Sequence, residues 1–322
     1  MIKIGIVGYG NLGKGIERAC EVFEDMEVVG IFTRRNPEDI KVKSAVYSVD
    51  ELPSFKDQID VCLLAGGSAT DLMEQGPAVL ENFNTVDCYD THAKVPEYFD
   101  KMNRIGKENG TLSLISTGWD PGLFSIQRLF SECILPKGDT YTFWGKGVSQ
   151  GHSDALRRIE GVKNAIQYTI PNQDVIEKIK AGEKLELSTR DKHFRECFVV
   201  LEEGADAKAI TDEIVNMPNY FSDYDTTVHF ISEEELSAEH QGMPHGGTVL
   251  RIGETSNSCK QNYEFSLSLD SNPEFTASVA VAYARGVHRA FDKGTTGAIT
   301  VFDLPLSYLS VYTDEELRKN YI

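Results

Sequence analysis

The residues with the clearest chemical use lie near the start of the chain. Ile2 to Val7 is a short apolar run, and Gly8-Tyr9-Gly10-Asn11-Leu12-Gly13 follows it directly. In a G-x-G-x-x-G turn between a strand and a helix, the first glycine permits the tight turn. The second lets the backbone approach a pyrophosphate, and the third lets the helix pack closely on the strand. The helix N-terminus adds N–H donors and partial positive charge. About 20 residues further on, an NAD-binding chain usually carries Asp or Glu for the ribose 2′-hydroxyl. Here the residues are Thr33-Arg34-Arg35, two guanidiniums where a 2′-phosphate would lie. The pattern favours NADP over NAD; the bland reading is a solvated charge pair before the turn at Asn36-Pro37.

Three further apolar runs end in small or polar residues. Ile59 to Ala65 leads into Gly66-Gly67-Ser68-Ala69-Thr70, Thr85 to Tyr89 into Asp90-Thr91-His92, and Leu112 to Ser116 into Thr117-Gly118-Trp119-Asp120-Pro121-Gly122. Ligands of open α/β sheets bind beyond the carboxyl ends of the strands, so the spacing nominates these loops. Asp90 and Asp120 stand in two of these loops, where capping the following helix is an ordinary job for Asp.

These residues need a scaffold that brings strand ends together. Strand 2–7, a helix from Lys14 to Phe23 and a strand from Glu27 to Phe32 make a βαβ unit of about thirty residues. Helical stretches near Asp71 to Glu81 and Pro96 to Asn109 continue the alternation, which predicts an α/β fold with a Rossmann-type, doubly wound parallel sheet. From about Asp120 the character changes. Thr140 to Trp144, Ala165 to Ile170, Glu196 to Leu201 and Thr226 to Ile231 are β-rich runs, which predict a mixed α+β domain. Gly147 to Asp154 and Gly242 to Gly247 are dense in small and polar groups and read as neither helix nor strand interior.

A length of 322 residues suits two or three packed units, and 41% hydrophobic with 25% charged residues is ordinary for a folded protein. Lys and Arg total 32 against 50 Asp and Glu, a formal net charge of −18. A phosphate backbone or anionic membrane would meet a repulsive field, so neither is an expected partner. The six cysteines are scattered without a C-x-x-C pair, which argues against a zinc knuckle or disulfide framework and suits a reduced cytoplasmic setting. No run approaches the ~18 apolar residues of a membrane helix, and the start is too quickly broken by glycine for a signal-peptide core. His152 and Asp154, with Ser149 or Ser153, suggest a hydrolase triad, but the G-x-S-x-G elbow is absent. The histidines form no H-x-x-x-H pair, so no metal site is expected. His193, His229 and His288 read as structural or surface residues, and Glu233-Glu234-Glu235 as a solvated acidic surface.

With those loops in view, the chain resembles the meso-diaminopimelate dehydrogenase family from its first strand to near its end. The resemblance rests on Val7 to Gly13, Gly30 to Arg35, Ser116 to Gly122 and Thr142-Phe143-Trp144-Gly145. It continues through Ser149-Gln150-Gly151-His152-Ser153-Asp154-Ala155-Leu156-Arg157-Arg158, Gly242 to Gly247 and Asn272 to Ser278. Two departures are mild: Thr33 keeps a hydroxyl where the family has serine, and Gly66 adds a second glycine before Gly67.

The resemblance implies NADP-dependent, reversible oxidative deamination of the D-centre of meso-diaminopimelate to L-2-amino-6-oxopimelate and ammonia. It also implies a place in lysine and cell-wall precursor metabolism and a homodimer. The implied domains are 1–118 for the dinucleotide, 119–297 for substrate and dimerisation, and a 298–322 segment returning to the nucleotide domain. Asp90 and Asp120 would be catalytic. Trp119, Trp144, Gln150, Gly151, Thr169, Arg195, His245 and Asn272 would complete the substrate set. The cofactor set would take Gly8 to Gly13, Thr33, Arg34, Arg35, Gly67, Ser68, Ala69, Thr70, Asp90, Thr91, His92 and Trp119 to Leu123, the last five being Trp119, Asp120, Pro121, Gly122 and Leu123. Core tryptophans and a surface Arg195–Glu196 ion pair are the competing readings. A dehydrogenase of other D-amino acids and a non-catalytic NADP-sensing protein are the competing functions.

Overall fold

Strands β1 (Ile2–Val7), β2 (Met26–Thr33), β3 (Val46–Ser48), β4 (Val61–Leu64), β5 (Asn84–Asp87) and β6 (Leu112–Leu114) open the chain. The middle carries β7 (Lys137–Trp144), β8 (Gly147–Val148), β9 (Val162–Pro171), β10 (His193–Leu201) and β11 (Asp225–Phe230). The long β12 (His245–Ser256) and β13 (Cys259–Leu269) follow, and β14 (Gly297–Ile299) is last. The computed structural model describes every residue from Met1 to Ile322 except Ala69 and Asn257, so the expectation placed on Ala69 lies outside the described residues.

The chain divides into two compact units, residues 1–126 with 273–322, and residues 127–272. The first holds a seven-stranded parallel sheet in the order β14-β6-β5-β4-β1-β2-β3. A parallel sheet covered on both faces needs near-continuous apolar strands, and Val61–Leu64 is buried at every position. Helices Asn11–Val22 and Asn272–Asp292 bury Ile16, Ala277 and Val281 with Ile4 and Ile6 on one face. Helices Leu72–Leu80 and Val95–Asn109 bury Leu80, Tyr98 and Met102 with Cys62 and Leu64 on the other. This is the expected doubly wound arrangement.

The unit bounds differ from those anticipated. Residues 273–297, assigned to the middle domain, pack with the sheet of the first unit because the apolar stripe through Ala277 and Val281 belongs to its core. Nearby, Arg285 forks onto both oxygens of Asp25 at 2.6 and 2.5 Å and also donates to the Leu309 carbonyl. Arg289 donates to the carbonyls of Ser307, Tyr308 and Ser310. These bonds fasten the segment after β14 to this unit.

The second unit contains a four-stranded mixed sheet, β11-β10-β9-β8, and a three-stranded antiparallel sheet, β13-β12-β7. The Gly147 to Asp154 stretch, expected to be irregular, forms β8 and then helix Gln150–Leu156. Packing decides this: Ser153, Ala155 and Leu156 are buried, and Leu156 joins the core with Ala165, Cys197 and Ile214.

Candidate active site

The glycine-rich turn behaves as its spacing demands. Gly8 sits at φ +99°, where L side chains are strained, and a Cβ on Gly13 would lie 2.3 Å from the Gly8 carbonyl oxygen. A Cβ on Gly10 would meet nothing within 4 Å, so the backbone there faces open space. That space belongs to a cavity of about 350 Å³ lined by Gly8, Tyr9, Gly10, Thr33, Arg34, Arg35 and Gly67 among others. Asn11 and Leu12 begin the helix beside it, without an acidic residue in the first turn. Thr33 is buried, and its Oγ1 accepts the Arg35 backbone N–H at 3.1 Å.

Arg34 pairs with Asp71 at 2.9 Å, while Arg35 donates to the Tyr9 carbonyl and has no carboxylate partner among the described residues. Asp71 also accepts the Gly67 N–H at 2.9 Å. That backbone bond, together with Arg34, holds the Asp71 carboxyl below its ordinary value against the opposing effect of burial. Asp71 and Gln75 line the cavity but were not among the expected cofactor residues. The Gln75 Oε1 is buried without a partner among the described residues. An open backbone cradle beside two guanidiniums fits a 2′-phosphorylated dinucleotide.

The other strand-end loops of this unit meet beside β4 and β5. Ser68 Oγ accepts the Asp90 N–H at 2.9 Å and lies 3.2 Å from Thr91 Oγ1. Thr70 N–H reaches back to Gly67 at 3.4 Å. Asp90 is exposed and caps no helix: the turn His92–Lys94 is headed by Thr91, and helix Val95–Asn109 by Lys94. The competing capping reading of Asp90 therefore fails. Trp119 is buried and meets Phe124 edge-on at 5.2 Å, with Asp120 and Pro121 half-buried beside it. Gly122 takes φ +126°, and its missing Cβ would lie 2.0 Å from the Gly118 oxygen. Leu123 N–H then donates to that oxygen at 3.0 Å and begins the next helix.

In the second unit, Arg195 is only 6% exposed. Its register partners are Thr169 on β9 and Thr226 on β11. Arg195 Nη1 donates to Thr169 Oγ1, and the guanidinium lies 3.8 Å from the centre of the Tyr224 ring. No carboxylate pairs with it among the described residues. Glu196 points to the opposite sheet face, as strand alternation requires, and lies 3.9 Å from His229. The expected alternative of an Arg195–Glu196 ion pair is therefore excluded. Burial lowers the Arg195 pKa, with Tyr224 acting in the other direction. Arg195 Nε, both amide atoms of Gln167, and Thr226 Oγ1 are buried without partners. Tyr224, Thr226 and Gln167 escaped the sequence reading, since only strand register places them beside Arg195.

The histidines around this guanidinium are kept neutral. Burial, then the Arg195 charge, pushes His152 down to about 4 and His193 to about 3. His193 Nε2 accepts the Trp144 N–H at 2.8 Å, and the two rings stack with centroids 5.4 Å apart. Trp144 itself is 39% exposed, so it is not a core residue. Gly147 lets the His245 ring approach, since a Cβ there would lie 2.4 Å from its Cγ. His245 Nδ1 accepts the Gly246 N–H at 2.8 Å. Gln150 reaches Met243 Sδ at 3.2 Å, Gly151 is exposed, and Asn272 N–H donates to the Met243 carbonyl at 2.9 Å.

Residues 118–271 match the family described as the diaminopimelic acid dehydrogenase C-terminal domain. The chain is 59% identical to the meso-diaminopimelate D-dehydrogenase of Ureibacillus thermosphaericus over 323 residues, covering 100% of this chain and 99% of the relative. The structure of the C. glutamicum DAP dehydrogenase, solved in complex with DAP, aligns with a TM-score of 0.93 at 42% identity, covering 100% and 99% of the two chains. An engineered D-amino acid dehydrogenase bound to NADP⁺ aligns with a TM-score of 0.88 at 41% identity and the same coverage.

Proposed function

The chain belongs to the meso-diaminopimelate D-dehydrogenase family, and from that premise we propose that it is an NADP-dependent amino-acid dehydrogenase acting on meso-diaminopimelate. It oxidises the D-configured centre to L-2-amino-6-oxopimelate with release of ammonia, reversibly. The observation that carries this reading is Arg195, a buried cation without a carboxylate beside it among the described residues. Such a charge is costly unless an anion arrives to pair with it. A non-catalytic NADP sensor has no use for it.

When bound, the nucleotide supplies a hydride acceptor. Gly8, Gly10 and Gly13 admit its pyrophosphate, and Arg34 and Arg35 hold the 2′-phosphate. Asp90 and Asp120 hold the reacting ammonium group and take protons as the amine becomes an imine and water adds. Trp119 and Trp144 supply apolar walls that exclude bulk water. Arg195, Thr169 and His245 bind a substrate carboxylate, the guanidinium by a forked contact. The neutral state of His152 and His193 leaves Arg195 as the cation of this cluster. Gln150, Gly151 and Asn272 add neutral hydrogen bonds.

In this reading the first unit binds nucleotide and carries Asp90 and Asp120, and the second holds the substrate carboxylate and contributes to a homodimer. Exposed Leu129, Phe130 and Ile134, on helix Leu123–Ile134, support a self-association surface. The setting is cytoplasmic, in lysine and cell-wall precursor supply. The test is NADP⁺ reduction at alkaline pH with meso-diaminopimelate, its L,L isomer and simple D-amino acids. Reduction is expected with the meso isomer alone or far ahead of the others. Silence with the meso isomer overturns the reading, and equal use of NAD⁺ undoes the roles of Arg34 and Arg35.

A further inference from the structure

The ladder between β5 and β6 ends at Val86 and Leu114, and beyond it a side chain takes over the pairing. Asp87, the last residue of β5, is fully buried. Its Oδ1 accepts the backbone N–H of Tyr89 and that of Ser116, each at 3.0 Å. Its Oδ2 accepts the Tyr98 hydroxyl at 2.8 Å, and its carbonyl accepts the Thr117 N–H at 2.9 Å. No cation pairs with it among the described residues, and burial pushes its carboxyl up to about 6 in spite of these three bonds.

The two N–H groups held by one oxygen belong to different loops. Tyr89 immediately precedes Asp90. Ser116, held at φ +57°, in the left-handed region that non-glycine residues seldom adopt, opens the turn that leads to Asp120. That turn is stiff from Ser116 onward: Trp119 bridges Gly122, and Gly118 accepts the Leu123 N–H. A displacement at Ser116 therefore carries through to Asp120.

We propose that Asp87 is a positioning residue for the reaction, clamping the Asp90 loop to the Asp120 loop so that both carboxylates are presented in one fixed arrangement. This rests on the roles given above to Asp90 and Asp120. A charged side chain is suited to the task because one carboxylate oxygen can accept two backbone donors while the other takes the hydroxyl. Misplacement of reacting groups by about 1 Å can cost up to ~100-fold in rate.

Three variants of the full chain separate positioning from plain structure. In Asp87→Asn, Oδ1 can still accept both N–H groups and the amide can donate to the Tyr98 oxygen, so kcat stays within about threefold of wild type. In Asp87→Ser, the hydroxyl can reach the Tyr89 N–H but not that of Ser116, so the fold persists while kcat falls about tenfold or more, a larger change than in KM. Asp87→Ala is expected to lose both the activity and some stability. A folded Asp87→Ser protein with wild-type kcat overturns the proposal, as does an Asp87→Asn protein as damaged as Asp87→Ala. Amide hydrogen exchange over residues 88–92 and 116–120 reads the clamp whatever the substrate is. Asp87→Ser should accelerate exchange in both segments, and unchanged exchange sinks the clamp even where the assigned substrate proves wrong.

Discussion

Asp87 in the first unit and Arg195 in the second are both buried charges without an oppositely charged partner among the described residues, yet their surroundings differ. Every contact of the Asp87 carboxylate is a donor supplied by the protein: two backbone N–H groups and a tyrosine hydroxyl. Around Arg195 the protein stops short. The guanidinium has the Thr169 hydroxyl and the Tyr224 side chain, and its Nε, the Gln167 amide and Thr226 Oγ1 have no partners among the described residues. Burying a polar group without a hydrogen bond costs on the order of 1–3 kcal/mol, so a folded chain seldom keeps several together without a use for them. A buried charge that the fold satisfies completely serves the fold's geometry. One that it leaves unsatisfied is waiting for something from outside.

The sharpest test of this contrast removes Arg195. Arg195→Met should raise KM for meso-diaminopimelate by about 100-fold or more, since a forked charge-assisted contact to carboxylate is lost. NADP⁺ affinity should not move, and the thermal midpoint should stay level or rise because an uncompensated buried cation has gone. Steady-state kinetics and thermal melts read both effects. A large fall in stability with an unchanged KM would make Arg195 a structural residue and erase the distinction from Asp87.

How much of this was legible in the sequence follows from how local each cause is. Gly8 and Gly13 were readable because a tight turn and a close helix leave no room for a Cβ, and Gly10 by its place between them, a constraint written in a few adjacent residues. Arg34 and Arg35 were readable by distance from that turn, but the Asp71 carboxylate on Arg34 was not, because a loop 37 residues later delivers it. Asp87 was hidden inside a run read simply as strand: its importance depends on β6 lying next to β5. Thr226 was hidden in the same way by the β10–β11 register, and Tyr224 by its place just before β11. Hairpin strand β13 was missed even though Tyr263, Phe265, Leu267 and Leu269 alternate with period 2. The polar residues between them face solvent and dilute the signal. Helix Gln150–Leu156 was misread because tertiary packing of Leu156 outweighs a local composition that favours turns.

The pH dependence of stability probes the other side of the contrast. The Asp87 carboxyl titrates near 6 in the folded chain against an ordinary 3.8. A raised carboxyl pKa means that the unfolded state releases this proton first as pH rises, so the folded state loses stability between about pH 4 and 6 and the whole penalty is present above 6. The scale is on the order of 1–3 kcal/mol. Asp87→Asn removes the charge and can keep the three contacts. Its thermal midpoint should therefore exceed wild type by several degrees at pH 8, and the advantage should vanish near pH 4. Melts of both proteins across that range decide it; an advantage independent of pH would mean that the carboxyl is not the charged, fully bonded group described.

The smallest expected effect concerns the ring under Arg195. Tyr224 has its face 3.8 Å from the guanidinium carbon, close enough for a cation–π contact worth about 0.5–2 kcal/mol. On the role proposed for Arg195, the ring keeps the planar fork oriented before an anion binds and so preorganises the carboxylate site. Tyr224→Leu should raise KM for meso-diaminopimelate about three- to tenfold with kcat little changed, and Tyr224→Phe, which loses only the hydroxyl contact, should restore the part that the ring face carries. Were Tyr224→Phe as impaired as Tyr224→Leu, the hydroxyl would be the operative group. Arg195 would then resemble Asp87 more closely, as a charge held by hydrogen bonds from its own unit.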